Sequence, residues 1–230
     1  MALQTRAQRM ADLARALRSE PDAAAAMDHL VQATVDLVPA CDAAGITVAH
    51  RGGRIETPAA SNDWPALSDK WQAEFGEGPC VDAAWKHEWV SSGDVANDDR
   101  WPAWGPRIAA TLGVRSMLCL QLFTNENKLG ALNLYSRQID AYTEDNMDEA
   151  IAIAAHAAVA VAAAQDIDQL GIGMARRTLI GQAVGILMER YDLDADRAFS
   201  VLVRLSSTEN RKLFDIAGEL VGERRRIATS

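Results

Sequence analysis

The stretch LSSTENRKLFDIA, residues 205–217, gathers the residue types that hold an anion. Ser206, Ser207, Thr208 and Asn210 offer short hydrogen-bonding groups, Arg211 and Lys212 follow, and Arg204 stands just before them. A turn that opens into a helix presents free backbone N–H groups and a positive dipole end, so phosphate fits there. Basic residues in the first turn of a helix oppose that dipole, so helix stability does not explain them. The spacing predicts a turn at 206–210 and a last helix over 211–224, with Arg211 and Lys212 in its first turn. The plainer reading is a solvated turn in which Thr208 or Asn210 caps the helix. The two are compatible, because a cap can also shape a phosphate site.

Other chemistry is thinner. GEGPC (76–80) lacks the third glycine of a dinucleotide fingerprint and the Gly-Lys-Ser/Thr of a P-loop. Cys80 would need a base or cation to become reactive, and Lys86 and His87 are its only hints, so a buried thiol is the simpler reading. His29, His50, His87 and His156 show no zinc spacing with cysteines or carboxylates, so no metal site is expected. Asp98, Asp99 and Arg100 read as a turn before a helix. With no nucleophile, base or metal set in view, no catalytic site is expected. The tryptophans, Trp64, Trp71, Trp85, Trp89, Trp101 and Trp104, lie close together in sequence. They read as packing over a sheet, with a ligand pocket as the sharper alternative.

The elements that carry these residues fall into two patterns. Helical spacing covers 3–19 and 22–39, the second with Met27, Leu30, Val31, Thr34, Val35 and Val38 on one stripe. AGITVAHRGG (44–53) and EWVSSGDV (88–95) read as strands, with a short helix at 66–75 between them. DDRWPAWGPRIAATLG (98–113) reads as a turn and a helix that stops at Gly113. The apolar runs 114–123 and 128–136 form a hairpin at the centre of a sheet. From about Thr143 the pattern is helical throughout. Met147, Ile151, Ala154, Ala158 and Val161 predict one close-packing face, and Leu179, Ile180, Ala183, Ile186 and Leu187 another. Ala195, Ala198, Phe199, Leu202 and Leu205 mark a further stripe, and Leu213, Ile216, Ala217, Leu220 and Val221 the last. Phe199 and Phe214 read as core. The prediction is an α+β sheet domain followed by an all-α three-helix bundle.

Composition bounds the function. The chain has 230 residues, a formal net charge of −9 and a hydrophobic share of 49%, as in an ordinary globular protein. No 18-residue stretch reads as apolar enough to span a membrane. MALQTRAQRMADLARALRSE lacks the apolar centre of a secretory leader. Cys41, Cys80 and Cys119 are odd in number and form no CxxC pair, which fits free thiols in the cytoplasm. Residues 168–230 carry a net charge of about +1 and residues 1–167 about −10, so the two parts differ in character.

At GEGPCVDAAW (76–85), SGDVANDDRWPAW (92–104), GVRSMLCLQLF (113–123) and LGALNLYS (129–136) the sequence resembles a GAF domain of the kind that precedes ANTAR domains. IGQAVGILMERYDLDADRAFSVLVRLSSTENRKLFDIAGELV (180–221) resembles the ANTAR domain itself, with A-x-G-I-L-M, A-F-x-x-L and N-R-K-L-x-D-I-A in order. The resemblance implies a helical extension over 1–22, a GAF sensor over 23–163 and an ANTAR domain over 164–226. Its central antiparallel sheet is flanked by helices and joined to the bundle by a long helix at about 144–190. It further implies a cytoplasmic, sensor-controlled transcription antiterminator that binds paired RNA hairpins as a homodimer through the long helix, with no membrane partner. Arg204, Ser206, Ser207, Asn210, Arg211 and Lys212 would contact RNA. The sensor would take a small-molecule ligand of open identity near Cys80, Trp101, Met117 and Cys119, with no named cofactor.

Two features depart from the family. Val184 stands where lysine is common, and Gly171 and Gly173 interrupt the long helix, where each glycine costs about 1 kcal/mol against alanine. A kink there is left open. Rival functions are a DNA-binding regulator built on a helix-turn-helix-like bundle and a small cofactor-binding enzyme. Asp215, Glu219 and Glu223 on the last helix oppose major-groove binding.

Overall fold

The structure, a computed structural model, describes residues 5–49, 55–80, 82, 89–124 and 128–228. The chain forms two compact units, residues 1–164 and 165–230.

Among the described residues, the first unit is a five-stranded antiparallel sheet with helices on both faces. Its helices are α1 (Arg6–Arg18), α2 (Ala23–Leu37), α3 (Trp64–Phe75), α4 (Trp104–Leu112) and the start of α5 (Glu144–Tyr191). Its strands are β1 (Ala43–Ala49), β2 (Ile55–Ala60), β3 (Trp89–Ser92), β4 (Ser116–Phe123) and β5 (Lys128–Ser136), in the spatial order β2-β1-β5-β4-β3. The β4–β5 hairpin is central, as its unbroken apolar runs predict. Strand periodicity sends Leu118, Leu120, Leu122, Leu132 and Leu134 to one face, against Leu30 and Val31 of α2 and Ile153, Ala157 and Val161 of α5. Met117, Cys119, Ala131 and Tyr135 go to the other, against Trp71 of α3 and Trp104 and Ile108 of α4. Helix α1 belongs to this unit: Leu13 enters the first core, and Thr5 caps the helix with Gln8 returning the bond.

The second unit packs the end of α5 with α6 (Ala195–Glu209) and α7 (Leu213–Ala228). Ala183, Ile186, Leu187, Ala198, Leu202, Ile216, Ala217 and Val221 form its core. Asp194 caps α6 by accepting from the Arg197 amide at 2.8 Å.

Several expectations need correcting. The strand expected over 44–53 is β1 as far as Ala49, and residues 50–53 of it lie outside the described residues; β1 pairs with β2, which has no counterpart in the sequence reading because Pro58 breaks its alternation. At Gly171 and Gly173, where the sequence left a kink open, helix α5 runs without a break. Ile151 is half exposed, and the buried face is Ala150, Ile153, Ala154, Ala157, Ala158 and Val161. Phe199 is 44% exposed rather than core, since only Ala198 and Leu202 of its stripe are buried. Met147–Tyr191 contains an 18-residue window with a mean hydropathy of 1.6, long and apolar enough to cross a membrane by length and composition, contrary to the expectation of no such stretch. Alanine raises that value, and the same alanines fill the core beside the sheet.

Candidate functional site

All four sensor residues lie in the core on one face of the sheet, Met117 and Cys119 from β4 and Cys80 and Trp101 from the segments packed over it. Cys80, Trp101, Met117 and Cys119 are each fully or almost fully buried in one cluster. GEGPC turns out to be a brace. Glu77 Oε1 accepts from the amides of Ala103 (2.7 Å) and Trp104 (2.8 Å), so it satisfies the N-terminus of α4 from another segment. Gly78 has φ 138°, and a side chain there would collide with Gln72. Gln72 Oε1 accepts from the Cys80 amide at 2.8 Å, and its Nε2 donates to Cys80 Sγ at 2.9 Å. Burial and the neighbouring Cys119 push the Cys80 thiol well up. Such a thiol is not a nucleophile at neutral pH. Lys86 and His87, together with Trp85, lie outside the described residues. Of the other tryptophans, Trp71, Trp101 and Trp104 are buried, while Trp89 is half exposed.

A polar set beside these residues escapes a reading based on apolar periodicity. Asp69 Oδ2 accepts from Thr47 Oγ1 (2.6 Å) and Thr57 Oγ1 (2.8 Å), and Asn133 Nδ2 donates to Thr47 Oγ1 at 2.7 Å. Burial pushes the Asp69 carboxyl up, and the two threonine bonds pull it partly back. Asn133 is fully buried, yet its Oδ1 accepts no hydrogen bond among the described residues. The available signal was polar residues at inward positions of β1 and β5.

The basic set lies around the α6–α7 turn, differently from the expected order. Helix α6 continues through Ser206, Ser207 and Thr208 to Glu209, so these residues sit at a helix C-terminus. Asn210 is the left-handed C-cap, with φ 51° and ψ 43°, a conformation asparagine tolerates. The Arg211 amide donates back to Ser206 O at 3.1 Å, and Ser206 Oγ donates to Arg211 O at 2.5 Å. Ser206 and Asn210 thus serve the turn itself. Arg211 and Lys212 precede α7, whose first residue is Leu213. The Lys212 carbonyl accepts the first α7 bonds, from the amides of Asp215 and Ile216. Asp215 in the first turn complements the dipole.

Arg211 is not free. Its Nη1 donates to Glu209 Oε2 at 3.1 Å and to Glu219 Oε2 at 3.0 Å, and its Nη2 reaches Glu219 Oε1. Glu219 first, then Glu209, pushes the guanidinium further up, and Arg211 holds the Glu219 carboxyl low. Arg204 and Lys212 are exposed and make no ion pair among the described residues. Arg176 stacks on Phe214, 4.9 Å from its ring centroid. Tyr191, Glu209 and Glu219 are site neighbours that the sequence reading missed, because charge and cap signals drew attention to the basic residues alone.

The chain belongs to the GAF-domain family: residues 20–162 match the GAF domain. Residues 168–221 match the ANTAR domain, so a GAF domain followed by an ANTAR domain defines the architecture, that of a sensor-regulated ANTAR regulator. Solved structures agree on the fold of the first unit. The GAF domain of an Acinetobacter phosphoenolpyruvate-protein phosphotransferase covers 73% of this chain and 99% of its own, at 15% identity and a TM-score of 0.57. A phycoerythrobilin-bound GAF domain from a cyanobacterial phytochrome covers 71% and 98%, at 16% identity and 0.54. Free methionine-R-sulfoxide reductase from Neisseria meningitidis, in complex with its substrate, covers 73% and 96%, at 16% identity and 0.51. No curated protein matches the chain.

Proposed function

We propose that the chain is a transcription antiterminator that binds paired RNA hairpins as a homodimer under control of its GAF domain. The observation that carries this reading is the ANTAR match over 168–221, joined to exposed Arg204 and Lys212 with no ion-pair partner among the described residues. Arg204, Arg211 and Lys212 hold RNA phosphate. Ser207 contacts the loop, and Ser206 and Asn210 shape the turn that presents the cations. The net charge of −9 does not forbid this, because screening limits repulsion to about 8–10 Å at physiological salt.

Dimerisation rests on α5. Ile151, Val159, Ile167, Leu170 and Met174 are exposed on this helix, Val159 at 69%. Within the first unit, Ile151 and Val159 join Trp89 and Phe123 around an apolar groove of about 470 Å³. Apolar helix residues without a partner support a second copy, and one chain supplies only one hairpin site. The GAF signal is a small molecule seated beside Cys80, Trp101, Met117 and Cys119. The unpaired Asn133 Oδ1 in that layer supports a ligand bearing a hydrogen-bond donor. Asp215 and Glu219, exposed on α7, weigh against the DNA reading.

The test is hairpin-RNA affinity of the full chain against an Arg204→Ala/Lys212→Ala variant, with circular dichroism as the folding control. The reading expects at least a tenfold loss with the fold intact. Equal affinity removes these cations from the site. Sedimentation of Val159→Glu/Ile167→Glu is expected to give a monomer from a wild-type dimer.

A further inference from the structure

The α6–α7 turn pins the backbone of Arg211 from both sides. Its amide donates to Ser206 O at 3.1 Å, and its carbonyl accepts from Ser206 Oγ. Carboxylates on either side of the turn hold its side chain as well. Glu209 is the last residue of α6, and Glu219 lies in the second turn of α7. An isolated ion pair at an exposed position orders little, but a bidentate contact inside a network of charges is the exception.

The atoms fix which donors are engaged. A guanidinium carries five N–H donors in one rigid plane. Nη1 gives one hydrogen to Glu209 Oε2 at 3.1 Å and one to Glu219 Oε2 at 3.0 Å. Nη2 gives one to Glu219 Oε1. Nε–H and the second Nη2–H bond nothing among the described residues. Those two donors lie side by side on one edge of the plane, a fork that fits two oxygens of a single anion. The Arg211 side chain remains 39% exposed, so the carboxylates fix it without enclosing it.

We propose that Glu209 and Glu219 are positioning residues for RNA binding: they hold Arg211 so that its Nε–Nη2 edge takes both non-bridging oxygens of one phosphodiester. The inference rests on the RNA reading above and says how that site is ordered. Arg204 and Lys212 have no ion-pair partner among the described residues, so RNA must order them as it binds. Arg211 is ordered beforehand and loses less side-chain entropy on binding. Simple charge predicts the reverse effect. Two carboxylates beside a phosphate repel it, so neutralising them would tighten binding. The sign of that substitution separates positioning from repulsion. Asp215 is the comparison, because it is an exposed acid in the first turn of α7 and takes no bond from Arg211 among the described residues.

The experiment titrates the full chain with fluorescent paired-hairpin RNA, read by anisotropy. Glu209→Gln/Glu219→Gln should weaken binding about tenfold, whereas Asp215→Asn should bind at least as tightly as wild type. Arg211→Lys keeps the charge and loses the fork. It should cost about tenfold in the wild-type background and less than about twofold in the Glu209→Gln/Glu219→Gln background, where the fork is already disordered. Thermal melts check the fold. A role in stability alone would move the melt and leave the cost of Arg211→Lys equal in the two backgrounds, which would overturn the proposal. Tighter binding by Glu209→Gln/Glu219→Gln would overturn it too, since the carboxylates would then withhold Arg211 from RNA. If wild type binds no hairpin RNA, the RNA reading itself fails and the inference falls with it. If wild type binds, and Arg204→Ala/Lys212→Ala weakens binding, but Arg211→Lys costs nothing, the RNA reading stands and the positioning alone is wrong.

Discussion

Gln72 grips Cys80 from two directions, accepting from its amide through Oε1 at 2.8 Å and donating to its sulfur through Nε2 at 2.9 Å. All of these atoms are buried, so no water can replace the carboxamide. Gln72→Leu leaves the Cys80 amide unsatisfied and should cost about 1–3 kcal/mol. Urea unfolding measures it, and an unchanged midpoint contradicts the role given to Gln72.

Asp69 makes stability depend on pH. Its carboxyl is raised above the ordinary 3.8 by burial, so the folded chain keeps a proton that the unfolded chain releases. Stability from this group is therefore greatest below about pH 4 and falls as pH rises toward the folded value. Asp69→Asn removes that slope. The urea midpoint of the variant, relative to wild type, should climb between about pH 4 and pH 7. Parallel profiles would mean that Asp69 is already charged in the folded state.

Glu77 satisfies a helix that has no side-chain cap of its own. Its Oε1 accepts from two amides at the start of α4. Glu77→Ala should destabilise the first unit by about 1–2 kcal/mol, the usual cost of a lost N-terminal cap. A melt that does not move would show that solvent takes over both amides.

The glycines of α5 offer the opposite effect. A methyl group added at Gly171 or Gly173 meets no atom within 4 Å. Gly171→Ala and Gly173→Ala should each stabilise the helix by about 1 kcal/mol, seen as higher helicity on heating. Loss of helicity in either variant contradicts an unbroken helix at these positions.

Periodicity made the sheet, the long helix and the bundle legible. Leu118, Leu120 and Leu122, and then Leu132 and Leu134, lie in apolar runs that only a doubly covered strand explains. The short edge strand β2 was hidden, since Ile55–Ala60 contains Pro58 and alternates weakly. Arg211 was readable as a cation but not as a partner of Glu219, because the contact joins the turn to the second turn of α7 and depends on the exact start of that helix. Residue types also misplaced Ser206–Thr208. Their capping habit suggested a helix start, whereas tertiary packing of Leu202 carries α6 through them. Asn133 and Thr47 were invisible as a pair, since they are far apart in sequence and only the β1–β5 register unites them.

The most direct test of the central claim is a binding titration of the full chain with fluorescent paired-hairpin RNA, with the single hairpin and matched duplex DNA as competitors. The account predicts one RNA per two chains and displacement by single hairpin only at about 10²-fold or more higher concentration, since linked sites gain effective concentration. It also predicts no displacement by duplex DNA at equal concentration. Equal competition by the single hairpin or by duplex DNA would contradict it.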